Sequence, residues 1–364
     1  MRRTPQANAG RGNGYSNARK DYIPNRLMEA ILAQTKTLQH LINQATALGP
    51  IRVAVVDAAQ AVVIETLRDA HALGLVEPRL VGAPDLIAAL CKDIGWKTGV
   101  DWIVPASSDP AAAAKAVELV RAGGADAIMK GNIHTDILMH VLLDKERGLR
   151  IPGRRVSHVF LVEVSSHPKL LGITDAAINI APDLNAKAEI LQNAVDLFHL
   201  LGVVAPKVAV LSAVETVNSA IVSTLDAACL TLMAKRGQIT GAAVDGPLAF
   251  DNAISRRAAE EKGITSPVAG DADILLVPDL VSGNILAKNL EYLAGAIAAG
   301  IAVGLAVPVV LTSRADPAPA RLASLAVAAL MHHRMPRAAL KSPIPESRLH
   351  CAPQPEHACC ALPA

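Results

Sequence analysis

The chain alternates between short apolar runs with strand character and segments in which apolar residues have helical spacing. The run Ile51–Ala58, "IRVAVVDA", is followed by a helical segment that Gly74 can end, and then by a second strand-like run, Glu77–Gly82. The alternation returns later in the chain, in "KVAVLSA" and "ADILLVPD". The apolar spacing also predicts a first helix from Arg26 to Leu48 and a later helix with Asp109 as its cap. The helix after Asp279 would be capped by Ser282. Such alternation is typical of an open, largely parallel sheet with helices on both faces. The sequence therefore predicts an α/β fold.

The composition limits the classes of partner. Hydrophobic residues make up 51% of the 364 residues but aromatic residues only 2%, so the core must consist of Ala, Val, Leu and Ile. The formal net charge of +2 creates no strong field toward nucleic acid or a membrane surface. The scarcity of aromatic side chains also argues against stacking platforms for single-stranded nucleic acid. We therefore expect small-molecule substrates, with neither nucleic acid nor a membrane as partner.

Three further features concern location and the chain ends. The longest apolar stretch, Leu293–Leu311, contains three Gly and a Pro, which favours a buried helix, a turn and a buried strand over a membrane span. The five cysteines lack metal-site spacing and indicate a reducing cytoplasm without disulfides. The basic N-terminal segment has no apolar stretch behind its arginines and so is not a secretory signal. We expect residues 1–25 to be a disordered extension and residues 336–364 a loose Pro-rich tail.

Polar residues follow five of the strand-like runs. In open parallel sheets, ligands bind outside the carboxyl ends of the strands, so such residues are candidates for a substrate site. Each group taken alone fits an ordinary turn or helix cap, because Gly, Ser, Asn and Asp dominate turns. Together they predict substrate-binding residues along one rim. The groups are Lys130; Ser212 with Glu215 and Thr216; Asp245 with Asp251; Asp279 with Gly283 and Asn284; and Ser313 and Arg314 with Asp316.

The corner at Ser313, Arg314 and Asp316 has two interpretations. In the structural one, Asp316 is the N-cap of the next helix and Pro317 its first residue. In the functional one, the corner binds an anion, because a helix start offers free N–H groups and Arg314 adds a planar fork suited to phosphate. The structural interpretation does not explain a Ser-Arg pair directly after a buried strand. We therefore favour anion binding, with Asp316 able to serve in both ways.

Several familiar site types are absent from the sequence. The G-x-G string at Gly10–Gly14 has no strand before it, and we find no P-loop, nucleophile elbow or H-E-x-x-H motif. His332 and His333 are adjacent and cannot share a helix face, so we predict no metal site. Cys229 lies in an apolar helical segment and is predicted to be inert core.

With these residues in view, the chain resembles the phosphate acetyl/butyryltransferase family from about Ile51 to His333. The resemblance is carried by "ADAIMKGNIHTD", "RRVSHVFLVEV", "PKVAVLSAVETVNSA", "AVDGPLAFDNAIS", "PDLVSGNI" and "VPVVLTSRAD". The pattern is most similar to the phosphate butyryltransferases and to the acyltransferase half of fusions with an enoyl-CoA hydratase domain.

The resemblance implies reversible transfer of an acetyl or butyryl group between coenzyme A and phosphate, with coenzyme A or acyl-CoA as substrate and no permanently bound cofactor. It also implies a homodimer and a two-domain fold of the isocitrate/isopropylmalate dehydrogenase type. Domain I would comprise residues 26–155 plus 301–335, and domain II residues 156–300. The cleft between the two domains would be lined by Ser313 and Arg314.

Matched residue by residue, the family's Ser-Arg pair corresponds to Ser313 and Arg314. The resemblance assigns Arg314 to the phosphate charge and Ser313 to hydrogen bonding near the reacting carbonyl. The acetyltransferase branch has an aspartate seven positions after this serine, where this chain has Ala320, and an arginine where it has Met139-His140. These departures favour a butyryltransferase-like branch. They leave two candidates for the base that deprotonates the thiol, Asp316 and Glu215.

We expect direct attack of the thiol in a ternary complex. Two rival functions remain open from the sequence. One is a metal- and NAD(P)-dependent decarboxylating dehydrogenase of the same fold. The other is an inactive homologue that binds coenzyme A or phosphate, which the loss of a carboxylate at Ala320 makes conceivable.

Overall fold

The computed structural model describes residues 37–99, 101–313 and 315–335, and all elements below lie in these ranges. The first part of the chain alternates strand and helix as its apolar pattern predicts. Its elements are α1 (Leu38–Leu48), β1 (Ile51–Val56), α2 (Ala61–Ala72), β2 (Val76–Gly82), α3 (Pro84–Asp93), β3 (Ile103–Pro105), α4 (Asp109–Arg121), β4 (Ala127–Lys130) and α5 (Thr135–Leu142).

The second part continues the alternation after two adjacent strands. Its elements are β5 (Ser157–Glu163), β6 (Leu171–Thr174), α6 (Leu184–Leu200), β7 (Lys207–Leu211), α7 (Val222–Lys235), β8 (Ala243–Leu248), α8 (Phe250–Ile254), α9 (Arg256–Glu261), β9 (Ile274–Leu276), α10 (Leu280–Leu293), β10 (Ile297–Val303), β11 (Val309–Val310) and α11 (Ala318–Arg334).

Within the described ranges, eleven strands form one mixed sheet in the order β3-β2-β1-β4-β11-β10-β5-β6-β9-β7-β8. The five neighbouring strands β3, β2, β1, β4 and β11 are mutually parallel. The four neighbouring strands β6, β9, β7 and β8 form a second parallel set. Antiparallel pairing occurs at β11–β10, β10–β5 and β5–β6. The predicted α/β fold with a large sheet and helices is therefore confirmed. The division into two domains, with its boundaries, stays a prediction.

The three antiparallel pairs reverse the direction of the sheet. Three successive reversals separate β11 from β6, so the two parallel sets run in opposite directions. The registers nonetheless bring their carboxyl ends to the same row across the sheet. Val310 at the end of β11 pairs with Ile301, Ile301 pairs with Val159, and the β5–β6 register places Thr174, the end of β6, opposite Val159. The expectation that five groups of polar residues share one rim of strand ends stays a prediction.

Helices cover both faces of the sheet. Along β1, Val53 and Val55 pack into a cluster with α1, α2, α6 and α11, whereas Ala54 and Val56 pack on the other face with α4 and α5. A third cluster on that second face lies beneath α8, α9 and α10. The helix α11 is rich in Ala and almost wholly buried from Ala320 to Met331. Small side chains let it approach the sheet closely, as the composition predicted.

Local details differ from the sequence expectation at three places. The stretch Leu293–Leu311, expected to form a buried helix, a turn and a buried strand, instead contains the strands β10 and β11. The helix α4 is capped by Ser108, whose Oγ accepts a hydrogen bond from the Ala111 N–H, so the expected cap Asp109 is instead the first helical residue. Cys229, predicted to be core, is exposed on α7. The expectations for residues 1–25 and 336–364, and the start of the first helix at Arg26, lie outside the described residues. In the described part of the chain, no helix combines the length and apolarity needed to cross a membrane.

Candidate active site at the corner before helix α11

The segment between β11 and α11 forms a compact turn that we call the corner, residues Thr312–Asp316. The Ser313 N–H donates to Asp316 Oδ2 at 2.7 Å, and the Asp316 N–H donates to the Ser313 carbonyl at 3.2 Å. The Ala315 N–H points at Ser313 Oγ, 3.4 Å away. Ser313 is exposed while Asp316 is buried. The corner therefore presents its serine to solvent and keeps its carboxylate underneath; Arg314 lies outside the described residues.

The expected helix cap is wrong. The N-cap of α11 is Pro317, without a side-chain cap, because the Asp316 carboxylate is already bonded to the Ser313 N–H. Pro317 and Pro319 have no N–H to offer, and the Ala320 N–H bonds to the Pro317 carbonyl. The helix start thus supplies few free donors. The predicted anion binding at this corner therefore has little support from the helix terminus itself.

The Asp316 carboxylate has a mixed electrostatic environment. Its side chain is 9% exposed, and burial raises its pKa, with Glu291 acting in the same direction. The Ser313 N–H, Lys288 and Arg321 act in the opposite direction without cancelling the effect of burial. Lys288 Nζ lies 3.9 Å from Asp316 Oδ1 and 2.6 Å from Glu291 Oε2. Asp316 is therefore a carboxyl with raised proton affinity beside a lysine of α10.

Arg321 is a residue of this site that the sequence analysis missed. Its side chain is 1% exposed, and it lies below the corner on α11. The guanidinium donates to Thr312 Oγ1 at 3.2 Å, to the Ser313 carbonyl at 2.8 Å and to the Asp316 carbonyl at 3.2 Å. A signal was present in the sequence, because Arg321 is a lone charge in the apolar stretch "ARLASLAVAALM".

Lys130 shares the sheet edge with the corner. It ends β4, which pairs in parallel with β11 through Met129 and Val310, so both strands run out at the same edge. Lys130 is 5% exposed. The next residue, Gly131, has no space for a side chain because an added Cβ would collide with the Asp57 carbonyl. The structure thus brings Lys130, Ser313 and Asp316 to neighbouring strand ends.

A second group of candidates lies around the ends of β7 and β8. Glu215 Oε2 accepts hydrogen bonds from Lys262 Nζ and Asn252 Nδ2, each at 3.2 Å, and Asp251 Oδ2 lies 3.5 Å from the same ammonium. Glu215's own backbone N–H and Lys262 lower the pKa of Glu215. Ser212 Oγ bonds to Ser223 Oγ at 2.8 Å, Thr216 is exposed and Asp245 is half-buried within β8.

The third group, Asp279, Gly283 and Asn284, lies at the start of α10. Asp279 rather than the expected Ser282 is the helix cap, and its Oδ1 accepts from the Ser282 N–H at 2.8 Å and from the Ser282 hydroxyl at 2.9 Å. An added Cβ on Gly283 would lie 2.7 Å from Val277 and 3.0 Å from Ala176. Its small size therefore serves helix packing rather than approach to a ligand.

The helix α10 connects this third group to the corner. Asn284 is exposed and its Nδ2 lies 3.4 Å from the Ala176 carbonyl. Lys288 follows four residues later, so the two side chains share a helix face about 6 Å apart along the axis. Since Lys288 contacts Asp316, α10 connects Asn284 and Lys288 to the corner. In the ranges described, no three His, Cys, Asp or Glu side chains are grouped as a metal site.

Comparison with known proteins decides the family. Residues 104–329 match the sequence profile described as phosphate acetyl/butaryl transferase. The chain belongs to this family. It is 54% identical to the phosphate acetyltransferase of Rhizobium meliloti over 262 residues, which are 72% of this chain and 83% of that protein. It is 45% identical to the phosphate butyryltransferase of Clostridium acetobutylicum over 77% of this chain and 93% of that protein.

A solved structure of the family agrees with the fold. The branched-chain phosphotransacylase from Enterococcus faecalis V583 superposes with a TM-score of 0.67 at 33% identity, covering 78% of this chain and 99% of that one. The family named from the sequence motifs is thus confirmed. These acyltransferase relatives give no support to the alternative of a decarboxylating dehydrogenase.

The opposite pKa directions of Asp316 and Glu215 give a prediction about stability. For Asp316 the folded pKa lies above the unfolded value near 3.8, so ionisation destabilises the fold. We expect Asp316→Asn to be at least as stable as the wild type at pH 7.5, because Asn still accepts from the Ser313 N–H. This advantage should disappear as the pH falls to about 3.8, since both side chains are then neutral. Urea unfolding between pH 3.5 and 8 measures the difference.

Glu215→Gln is the matched control with the opposite sign. The folded pKa of Glu215 is lowered, so its carboxylate stabilises the fold above the unfolded pKa and loses this effect in acid. The Gln variant should therefore be less stable than the wild type at pH 7.5 and equal to it at the acid end. Two variants that respond to pH with the same sign would contradict the assignment.

Proposed function

We propose that this protein is a phosphate acyltransferase that moves an acetyl or butyryl group reversibly between coenzyme A and inorganic phosphate. One observation supports it most strongly: the corner bonds an exposed serine through its N–H to a buried carboxylate with a raised pKa. This corner includes Arg314, the residue that the family resemblance assigns to phosphate. The site thus combines a proton acceptor with anion-binding groups beside the substrate position.

In one direction, the coenzyme A thiol attacks the carbonyl carbon of an acyl phosphate. A new C–S bond forms, the C–O bond to phosphate breaks and inorganic phosphate leaves. A thiol has a pKa of about 8.5 and must lose its proton to attack. The proton passes to Asp316, and positioned general bases of this kind accelerate reactions by about 10²–10⁴-fold. The coenzyme and acyl phosphate are substrates, and no acyl group is attached to the protein.

The negative charge that develops has two partners in the corner. Ser313 Oγ faces the Ala315 N–H as an acceptor, so its hydroxyl hydrogen is available to the oxyanion of the tetrahedral intermediate. Arg314 neutralises the phosphate with its planar fork. Lys130 and Asn284 line the same region and bind substrate, while Asp279 and Gly283 position α10.

The choice of base follows from the two environments. Glu215 is ion-paired with Lys262 and has a lowered pKa, which makes it a weak proton acceptor. Asp316 has a raised pKa and borders the serine. We therefore assign the base to Asp316. A separate polar surface around Glu215 is assigned to substrate contacts away from the reacting atoms. Its residues are Glu215, Asp251, Ser212, Thr216 and Asp245.

The acyl chain preference is proposed from two positions. Ala320 is 2% exposed at the start of α11, so the base of the acetyltransferase branch has no counterpart there. Met139 and His140 likewise replace that branch's arginine. We propose a butyryltransferase-like enzyme that also accepts acetyl groups.

The assembly is proposed to be a homodimer in the cytoplasm. The helix α7 exposes an apolar stripe at spacings of three, four and three residues: Val222, Leu225, Cys229 and Leu232. Such a stripe is suited to pairing with the same stripe of a second copy. Cys91 and Cys229 are free thiols, which favours a reducing compartment.

The role of Arg314 can be tested directly. Arg314→Gln removes the charge proposed to bind phosphate, so kcat/KM for phosphate should fall by about a hundredfold or more. Thiol release from butyryl-CoA and acetyl-CoA in the presence of phosphate measures it. Arg257→Gln is the control, since Arg257 is exposed on α9. An unchanged kcat/KM in Arg314→Gln would remove this residue from the site.

Direct transfer predicts that the protein never carries the acyl group. After mixing with butyryl phosphate in the absence of coenzyme A, intact-mass spectrometry should give the mass of the unmodified chain. A mass increase equal to one butyryl group would replace the ternary complex with a covalent intermediate.

The dimer surface gives a third prediction. Leu225→Glu should shift the protein from twice the chain mass to the chain mass in light scattering, because it places a charge in the centre of the stripe. Leu86→Glu introduces the same change at an exposed leucine of α3 and should leave the dimer intact. Equal masses for the two variants would place the interface elsewhere.

A further inference from the structure

The mechanism above does not use the buried guanidinium of Arg321, the least exposed charged side chain among the described residues. The side chain is 1% exposed inside the protein, where an arginine is tolerated only if its donors find acceptors. Burial lowers the pKa of Arg321, and Asp316 counteracts this effect. A cation in such a place is costly, so the contacts that compensate it indicate what it does.

The described partners of this guanidinium all belong to the corner. Nε donates to the Asp316 carbonyl, one terminal nitrogen to Thr312 Oγ1 and the other to the Ser313 carbonyl. The acceptors lie on both sides of position 314. Because the guanidinium is planar and rigid, it holds them in a fixed relative arrangement, which a lysine ammonium on its flexible stem does not reproduce.

We propose that Arg321 is the positioning residue of the active site, holding the backbone of the corner so that Ser313 and Asp316 keep the arrangement needed for the reaction. The proposal rests on the function proposed above. Arg321 acts from inside the protein, with the corner between it and the substrate, and so it is not itself a catalytic residue.

The charge of Arg321 has a second effect, on the proposed base. The groups that face the Asp316 carboxylate are Lys288 and Glu291 from α10, Arg321 from α11 and the Ser313 N–H within the corner. Lys288 and Arg321 favour the ionised carboxylate, and Glu291 disfavours it. Removing Arg321 should therefore raise the pKa of Asp316, so that a higher pH is needed before Asp316 is ionised and can accept a proton.

Two variants of Arg321 distinguish the effect of its forked geometry from the effect of its charge. Arg321→Lys keeps the charge but loses the fork, so kcat should fall by tenfold to a hundredfold, the loss typical of a misplaced reacting group. Its acid limb in the pH profile of kcat/KM should stay in place. Arg321→Met loses both, so kcat should fall further and the acid limb should move to higher pH. The KM for butyryl-CoA should change less than twofold in both.

The control is Arg52, whose forked guanidinium bonds Asp126 away from the corner. Arg52→Lys and Arg52→Met should leave kcat and the pH profile unchanged even where they lower the melting temperature. If Arg321→Met does not fold, Thr312→Val replaces it, because this change removes one acceptor and should lower kcat with the acid limb in place.

The outcomes distinguish this inference from the function on which it rests. If the wild-type protein releases no thiol from acyl-CoA in the presence of phosphate, the proposed function is disproved. An active wild type, together with folded Arg321→Lys and Arg321→Met variants whose kcat lies within twofold of it, would overturn the positioning role alone. A loss of activity that follows melting temperature equally in the Arg52 and Arg321 variants would also overturn it.

Discussion

The reversal of the sheet at β10 and β5 is the constraint on which the candidate site depends. These two strands pair over seven residues and join two parallel sets that run in opposite directions. The registers bring the carboxyl ends of both sets to the same row of the sheet, on either side of β10 and β5. The helices α10 and α11 add to the candidate site, because Lys288 and Arg321 both reach the corner.

Much of the fold was predictable from the sequence, because the alternation of apolar periods is a local signal. The corner was also located correctly as the point where a buried strand meets a helix. The direction of the second strand set was not predictable, since it depends on which strands pair rather than on any one of them. The candidate residues divide into those near the corner and those around Glu215. That they share one rim stays a prediction.

The errors at helix caps have a common physical origin. Asp316 and Asp109 both stand where a cap is expected, but a carboxylate caps a helix only if no nearer donor takes it. In the corner, the Asp316 carboxylate accepts from the Ser313 N–H, and α11 starts one residue later than expected, at Ala318 with Pro317 as its N-cap. In α4, Ser108 precedes Asp109 and makes the cap first. Competition between neighbouring polar groups decides such details, and a residue pattern does not express it.

The two candidate bases could not be separated by sequence for a related reason. Asp316 and Glu215 have the same chemistry, and their proton affinities differ through burial and partners that come from distant segments. Lys262 stands 47 residues from Glu215 and pairs with it directly. Burial outweighs the more distant Lys288 at Asp316.

Two cationic side chains, Arg321 and Lys288, contact the corner and are held differently. Below it, Arg321 is almost completely buried in an Ala-rich helix and bonds directly to backbone carbonyls, so that side has little freedom to move. Beside it, Lys288 is one-third exposed, lies 3.9 Å from Asp316 and bonds more closely to Glu291. The corner backbone is therefore held more firmly by Arg321 than the Asp316 carboxylate is by Lys288. In the proposed function, this fixed backbone keeps Ser313 in place while phosphate binds and leaves beside it.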